Sequence, residues 1–248
     1  MNRSSASRAE TRTFAPALAV TAAALVAGGT IPLLPPRARL AANLGAAAAA
    51  LALARAGGVD RTGLGGDPAD AWRGVRVGAG TAAATAMVVG AAAVLPATRE
   101  LFTDARVTGA PRGRAAYEVL VRIPVATALG EELLFRGALL GAWQAAAGTP
   151  VAVAVSSLAF GAWHVIPALE SHTHNPAGAR ISAGNGGRVT HVGGTIVATA
   201  LAGAAFAALR LRSRSLVAPV IAHTAINQLG YLAARWAHAP AAAPLAQP

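Results

Sequence analysis

Long apolar stretches alternate with short polar segments along the whole chain. Stretches of about twenty apolar residues are long enough to cross a bilayer as helices. The pattern predicts an all-α fold, a polytopic transmembrane helical bundle of about seven spans, within a range of roughly six to eight. The predicted spans are Phe14–Leu34, Leu40–Ala54, Val77–Leu95, Tyr117–Trp143, Val151–Ile166, Thr195–Leu209 and Leu216–Trp236.

The polar segments divide the chain into four predicted regions. Residues 1–13 form a polar N-terminal segment and residues 14–116 a transmembrane region with charged linkers, of which Arg55–Arg76 is the first. Residues 117–236 form a membrane core, and residues 237–248 are predicted to be a disordered tail. The first span is interpreted as a retained anchor rather than a signal peptide, because further spans follow it.

Prolines and polar residues predict where the helices end. Pro124 suits the first turn of the apolar part of its helix, while Pro150 and Pro167 suit the two ends of the next one. A polar loop is predicted over Ala168–Gly194, and Arg210–Ser215 is expected to separate the last two spans.

The composition supports a membrane location. Of the 248 residues, 54% are hydrophobic and 12% are charged, whereas about 25% are charged in typical soluble domains. Cysteine is absent, which excludes disulfides and cysteine metal sites.

The net charge of +11 comes from arginines scattered over the ends of the apolar stretches. This distribution predicts contact with anionic lipid and no nucleic-acid partner. The sequence shows no eukaryotic feature, so we expect a multi-pass protein of a bacterial plasma membrane.

Three charges interrupt the fourth apolar stretch, in the sequence GEELLFRG (Gly130–Gly137). Each ionisable residue at membrane depth costs about 2.5–3.5 kcal/mol on insertion scales, so such residues face the bundle interior and often mark a site. Glu132 and Arg136 lie four residues apart on one helical face and are interpreted as a structural ion pair. Glu131 points about 100° away and has no partner nearby in sequence. A buried carboxylate in that position needs a proton, a metal ion, a water molecule or a histidine.

Two later stretches supply histidines. FGAWH (Phe160–His164) and HTAIN (His223–Asn227) each place their first and last side chains on one helical face. If successive spans run antiparallel, these side chains and Glu131 can converge inside the bundle, provided that the helices tilt or stagger.

A carboxylate, two histidines and an asparagine can hydrolyse an amide in two ways. Glutamate and histidine can deprotonate an attacking water, while histidine and asparagine donate hydrogen bonds to the developing oxyanion. Alternatively, Glu131, His164 and His223 can hold a divalent metal such as zinc and leave a fourth position for water. The soluble zinc-protease motif HExxH and the serine motif GxSxG are absent. The residues leave both routes open.

The three motifs together resemble those of a known family. EELLFR, FGAWH and HTAIN are similar to the E-E-x-x-x-R, F-x-x-x-H and H-x-x-x-N motifs of the CAAX protease and bacteriocin-processing (CPBP) family, also called the abortive-infection family. That family includes the type II CAAX prenyl endopeptidase. The resemblance covers about Tyr117–Tyr231 and implies a glutamate-dependent intramembrane endopeptidase with its catalytic core in residues 117–236. Its substrate would be a peptide or protein reached from the membrane.

The resemblance also implies a role for each matching residue. Glu131 would activate water with help from His164, while His223 and Asn227 would stabilise the oxyanion. The supporting residues would be Glu132, Arg136 and Phe160. The family resemblance does not decide whether a metal takes part, and it implies a site that faces the cytosol.

Two other functions remain open from the sequence. The chain could be a non-catalytic membrane scaffold or bacteriocin-immunity protein, or a proton-coupled transporter that uses Glu131 and the histidines as a relay. The intact motif residues argue against the scaffold, and the lack of matching halves argues against the transporter. The histidines interpreted as solvated or inert are His172, His174, His191 and His238. The aromatic residues interpreted as interfacial are Trp143, Trp163 and Trp236.

Overall fold

The computed structural model describes residues 3–174 and 187–237. Over these residues the chain is helical and has no strand, which confirms the all-α prediction. The helices, numbered in chain order, are α1 Arg3–Thr30, α2 Pro36–Ala56, α3 Ala71–Val94, α4 residues 112–147, α5 Thr149–Trp163, α6 Val165–His174, α7 Arg188–Ser213 and α8 Val217–Ala237. Short helical turns between them are Ile31–Leu33, Pro68–Asp70, Pro96–Arg99, Glu100–Phe102 and Ala105–Thr108.

Four helical segments in the described chain are long and apolar enough to cross a membrane. They are Phe14–Leu33, Pro68–Val94, Thr149–His172 and Arg188–Ser213. The other three predicted spans coincide with α2, α4 and α8, which do not meet the same standard of length and composition. The multi-pass membrane interpretation is supported, while the number of crossings stays a prediction.

Helices α2 and α4 run side by side in the same direction. Gly130 of α4 lies against Asn43 of α2, and a Cβ atom added to the glycine would be 3.7 Å from the asparagine Cβ. Further along both helices, a Cβ atom at Gly137 would be 3.2 Å from Cδ2 of Leu51. Glycines allow two helix backbones to approach closely. This contact places α2 beside the charged segment of α4.

Helices α3 and α8 are also parallel neighbours. A Cβ atom at Gly74 would be 2.7 Å from Oγ of Ser215, and one at Gly78 would be 2.9 Å from Cβ of Ile221. The two glycines lie four residues apart on one face of α3, so this face packs directly on α8. The two helices therefore begin at the same end of the bundle.

Helices α5 and α7 run in opposite directions. The end of α5 meets the start of α7 where Gly161 faces Ile196, and Ser157 meets Gly203 further along. Taken with the two parallel pairs, this arrangement is the one that a chain produces when successive spans alternate in direction. The directions agree with the predicted order of spans.

The sequence predicted Pro124 in the first turn of the apolar part of a helix, but in the structure Pro124 lies inside α4. Helix α4 is an unbroken succession of five segments, of which Glu118–Leu129 and Leu133–Leu139 are π-helical. In a π-helix each N–H bonds to the carbonyl five residues back, which widens the turn. The wider turn accommodates a proline, whose ring would clash with the preceding turn of an ordinary α-helix.

The fifth predicted span bends at His164 and not at Pro167. Helix α5 ends at Trp163, and His164, with φ −89° and ψ 4°, joins it to α6. Pro167 lies in the first turn of α6, where its missing N–H leaves no hydrogen bond unmade. Pro167 therefore marks the start of α6, and the prediction that it marks the end of a helix was wrong.

The predicted separator Arg210–Ser215 is mostly helical. Helix α7 continues beyond Arg210, and the chain turns at Arg214, which has φ 57°. Arg210 is buried, and its Nη2 donates hydrogen bonds to the carbonyls of Thr62 at 3.0 Å and Gly63 at 2.9 Å. The linker between α2 and α3 is thereby fixed onto α7.

Parts of the predicted terminal and loop segments lie outside the described residues. The predicted loop Ala168–Gly194 is helical at both ends, in α6 and α7, and its residues 175–186 are not among those described. Residues 1–2 and 238–248, with His238, also lie outside the described chain, as does the side chain of His174.

Candidate active site

The charged segment of α4 lies in the interior of the bundle. Glu131 is 6% exposed, and Glu132 and Arg136 are 0% exposed. The two glutamates occupy a short α-helical stretch, Gly130–Glu132, between the two π-helical segments. π-Helical segments are frequent at functional sites. Charges that are buried, as these are, need partners.

Glu132 joins two partners through one oxygen. Its Oε1 accepts a hydrogen bond from Nη1 of Arg136 at 3.2 Å and lies 2.9 Å from Nδ1 of His223. An ionised carboxylate oxygen can only accept, so His223 donates from Nδ1. The ion pair with Arg136 has the i, i+4 geometry expected from the sequence. The bond to His223 connects α4 to α8.

Arg136 is enclosed by aromatic rings. Its guanidinium carbon lies 4.2 Å from the ring centroid of Phe160, 5.2 Å from that of Phe206 and 5.8 Å from that of Phe135. Its Nε and Nη2 atoms are buried and have no hydrogen-bond partner in the described part of the chain. The faces of the rings and the carboxylate of Glu132 therefore carry the stabilisation of this charge.

Glu131 has one occupied oxygen and one free oxygen. The indole Nε1–H of Trp163 donates to Oε1 at 3.2 Å. Oε2 is buried without a hydrogen-bond partner among the described residues and lies 3.9 Å from Nε2 of His223. A carboxylate held on one side and free on the other can accept a proton from a molecule bound beside it.

The ring of His223 is fixed between the two carboxylates. Nδ1 faces Glu132, and Nε2 faces Glu131. The ring stacks on Phe206 with centroids 4.9 Å apart and planes 20° apart, and it meets Phe160 edge-on at 5.9 Å. The sequence predicted that Glu131 and His223 converge, and the structure brings them into contact.

His164 has a defined tautomer. Its Nδ1 lies 2.8 Å from the carbonyl oxygen of Phe160, one turn earlier. A carbonyl only accepts, so Nδ1 carries the hydrogen and Nε2 of the neutral ring keeps its lone pair. The ring packs edge-on against Phe160 at 4.6 Å and is half-buried. Phe160 thus contacts both histidines of the motifs.

Asn227 follows His223 by one turn of α8 and is half-buried. In the structure His223 is the residue level with the glutamates, because it contacts both of them. Asn227 therefore lies one turn further towards the C-terminal end of α8.

The predicted zinc ligands do not form a metal site. Among the described residues, no three side chains of His, Asp or Glu are placed to share one metal ion. Glu131 uses Oε1 to accept from Trp163, and His223 uses Nδ1 to donate to Glu132, while Oε2 of Glu131 and Nε2 of His223 lie 3.9 Å apart.

Trp163 has a role that the sequence interpretation missed. It was expected to be an interfacial aromatic, but it is buried at 8% exposure and bonds Glu131. A Cβ atom added to Gly28 of α1 would be 3.0 Å from its ring, so α1 makes room for the indole. Its place inside FGAWH, next to His164, is the signal that could have revealed it. Phe206 carried no such signal, because it lies in an ordinary apolar stretch.

Two of the histidines interpreted as solvated lie together. The ring centroids of His172 on α6 and His191 on α7 are 5.2 Å apart, and Nε2 of His191 is 3.0 Å from Oγ of Ser171. Nδ1 of His172 is buried without a hydrogen-bond partner in the described chain. These rings pack between two helices, so the prediction of a solvated loop was wrong for them.

The comparison with protein families bears on the same region. Residues 114–229 match the family model of Rce1-like proteins, described as type II CAAX prenyl endopeptidase Rce1-like. This match supports assignment of the segment to the CAAX protease family. The matched segment contains all four predicted catalytic residues, Glu131, His164, His223 and Asn227. No curated protein and no solved structure matches the chain significantly.

The match to this family model supports a CAAX-protease-like intramembrane endopeptidase at the level of the family. The family consists of intramembrane endopeptidases, so a peptide or protein substrate and a lipid environment follow from it. Helices α1, α2 and α3 precede the matched residues 114–229. Helices α1 and α2 still contribute to the same core, because Val20 and Ala47 belong to one cluster of buried residues with Phe135 and Trp163.

Proposed function

We propose that the chain is an intramembrane endopeptidase that hydrolyses a peptide bond with water activated by Glu131. The observation that carries this proposal is the state of the Glu131 carboxylate. Oε1 is held by Trp163, while Oε2 is buried, has no partner among the described residues and faces His223. Such a carboxylate is oriented for proton transfer and excluded from bulk water.

The proposed first step is the attack of water on the scissile carbonyl carbon. Glu131 takes a proton from the water as the oxygen–carbon bond forms, which gives a tetrahedral intermediate. The carbon–nitrogen bond then breaks, and the proton passes to the leaving amine. His164 has a free lone pair at Nε2 and assists this transfer.

The negative charge of the intermediate is stabilised by α8. His223 donates from Nε2 when both of its nitrogens carry hydrogen, and its Nδ1 donates to Glu132. Asn227 supplies an amide N–H from the next turn. Glu132 and Arg136 act as positioning residues, because they orient His223 without touching the substrate.

The substrate is a peptide segment that reaches the site from the membrane. We place the protein in a bacterial plasma membrane, with the site open to the cytosol. The proposed steps use protein groups alone, because the described side chains are not arranged as a metal site. A chelator should therefore leave the rate of cleavage unchanged.

The test is peptide cleavage by the purified full chain in detergent, with a quenched-fluorescent library that includes farnesylated CAAX peptides. We expect Glu131→Gln to lower kcat about 10²–10⁴-fold, as for loss of a general base. Glu118→Gln is the matched control, since Glu118 lies on the same helix, is buried and pairs with Arg122. Absence of cleavage by the wild type, or equal cleavage by Glu131→Gln, would overturn the proposal.

A further inference from the structure

Asn43 is the sole polar side chain in the apolar stretch Leu40–Ala54 of α2. Its Oδ1 is buried and has no hydrogen-bond partner among the described residues. Burying a polar group without a partner is unfavourable, and native structures rarely leave one unsatisfied without a reason. The fold therefore keeps an unpaired amide oxygen at this position of the bundle.

The position of Asn43 is next to the catalytic segment. A Cβ atom added to Gly130 would be 3.7 Å from Cβ of Asn43 and 3.8 Å from the backbone carbonyl carbon of Asn43. Gly130 immediately precedes Glu131, and it has no side chain that could fill the space between the helices. The parallel course of α2 and α4 thus sets Asn43 at the level of the two glutamates.

A peptide drawn into this site brings hydrogen-bonding groups of its own. In a low-polarity interior each backbone N–H and C=O of the substrate needs a partner. An asparagine side chain offers one acceptor and two donors, which complement the acceptor and donor of a peptide unit. An amide oxygen that is unpaired in the free protein can accept a hydrogen bond from such a unit without first breaking a bond.

We propose that Asn43 binds a main-chain amide of the peptide substrate next to the scissile bond. This inference rests on the proposed function, and it adds a substrate-binding residue outside the matched segment 114–229. Asn43 fixes the register of the substrate relative to Glu131. The N-terminal helices then take part in substrate recognition as well as in packing.

The test uses the variant Asn43→Leu, which keeps a similar shape and removes the amide. It is combined with a series of substrates that carry a single N-methyl group at successive backbone positions. We expect kcat/KM to fall about 10- to 100-fold in the variant, as for loss of a hydrogen bond that leaves a substrate group unpaired. We expect one N-methyl position to impair the wild type strongly and to impair Asn43→Leu no further.

Two measurements separate this role from a structural one. The melting temperature of Asn43→Leu should equal or exceed that of the wild type, because no hydrogen bond between described residues is lost. Thr85→Val is the control, since Thr85 bonds only to Thr81 of its own helix, α3, and its substitution should leave kcat/KM and the N-methyl profile unchanged.

Each outcome decides the inference. Wild-type cleavage with an unchanged kcat/KM in Asn43→Leu, or additive effects at every N-methyl position, overturns the role of Asn43 and leaves the proposed function standing. Failure of the wild type to cleave any peptide overturns the proposed function and this inference with it. If Asn43→Leu and one N-methyl position have non-additive effects on kcat/KM, the result supports both the role of Asn43 and the proposed function.

Discussion

At the residue scale, two adjacent glutamates of α4 have different partners. Glu132 binds Arg136 and His223 through Oε1, whereas Oε1 of Glu131 accepts from Trp163. Oε2 of each glutamate is buried without a hydrogen-bond partner among the described residues, and that of Glu131 faces Nε2 of His223. Helical spacing predicted the ion pair and the lack of a local partner for Glu131, because both depend on residues within one turn. The bond to His223 joins positions 91 residues apart, so it depends on packing that no local pattern contains.

The hydrogen bond from Trp163 to Glu131 is open to a direct test. Trp163→Phe keeps an aromatic ring and removes the N–H that fixes Oε1. We expect kcat/KM to fall about tenfold or more, since a hydrogen bond to a charged group contributes about 1.5–3 kcal/mol. The measurement is steady-state cleavage of the best library peptide.

The control for this variant is Trp143→Phe. Trp143 also donates from its indole, to Oγ1 of Thr21 at 2.9 Å, but this bond joins α4 to α1 away from the glutamates. Its loss should lower the melting temperature without a comparable loss of kcat/KM. Equal kinetic effects in the two variants would show that the bond from Trp163 has no special part in catalysis.

At the scale of the elements, apolar periodicity located most helices but not their internal form. The spans of α1, α3 and α8 follow directly from runs of apolar residues. The π-helical segments of α4 and the bend at His164 did not follow, because the pattern assumes one constant helical period. Both departures lie beside the candidate site, where packing of charged and aromatic side chains decides the local geometry.

Helix α7 packs closely over the ion pair of Glu132 and Arg136 at Gly203, so we expect stability to depend on the lack of a side chain at Gly203. A Cβ atom at Gly203 would be 3.1 Å from Cα of Ser157, 3.2 Å from Nη2 of Arg136 and 3.3 Å from the ring of Phe160. We expect Gly203→Ala to lower stability by about 1–3 kcal/mol, as overpacking does. Thermal unfolding in detergent measures the change.

Gly193→Ala on the same helix is the matched control. An added Cβ at Gly193 meets no atom within 4 Å, so alanine should be neutral or stabilise α7 by up to about 1 kcal/mol through helix propensity. If Gly203→Ala were as stable as Gly193→Ala, the backbone of α7 would not be in close contact with Arg136.

At the scale of the whole molecule, contacts between linkers sort them into two ends. The segment between α2 and α3 meets the turn between α7 and α8, where N of Leu216 donates to the carbonyl of Gly65 at 2.9 Å. At the other end, Arg99 after α3 donates to the carbonyl of Ala237 at the end of α8. The sequence predicted these segments as linkers but not their partners, because a turn signal carries no information on what the turn contacts.

These two ends predict which loops share a side of the membrane. The chain has no cysteine, so a single cysteine at an exposed position can be labelled with an impermeant thiol reagent. Seven crossings place Gly58, Gly148 and Arg214 on one side, and Pro35 and Thr108 on the other, because each helical span reverses the side.

If only the four most apolar segments crossed, Pro35 and Gly58 would share a side, and Gly58 and Gly148 would lie on opposite sides. Labelling after solubilisation controls for access to each cysteine. Opposite sides for Gly58 and Gly148 would contradict seven crossings, and the parallel pairing of α2 with α4 would then require that neither helix spans the bilayer.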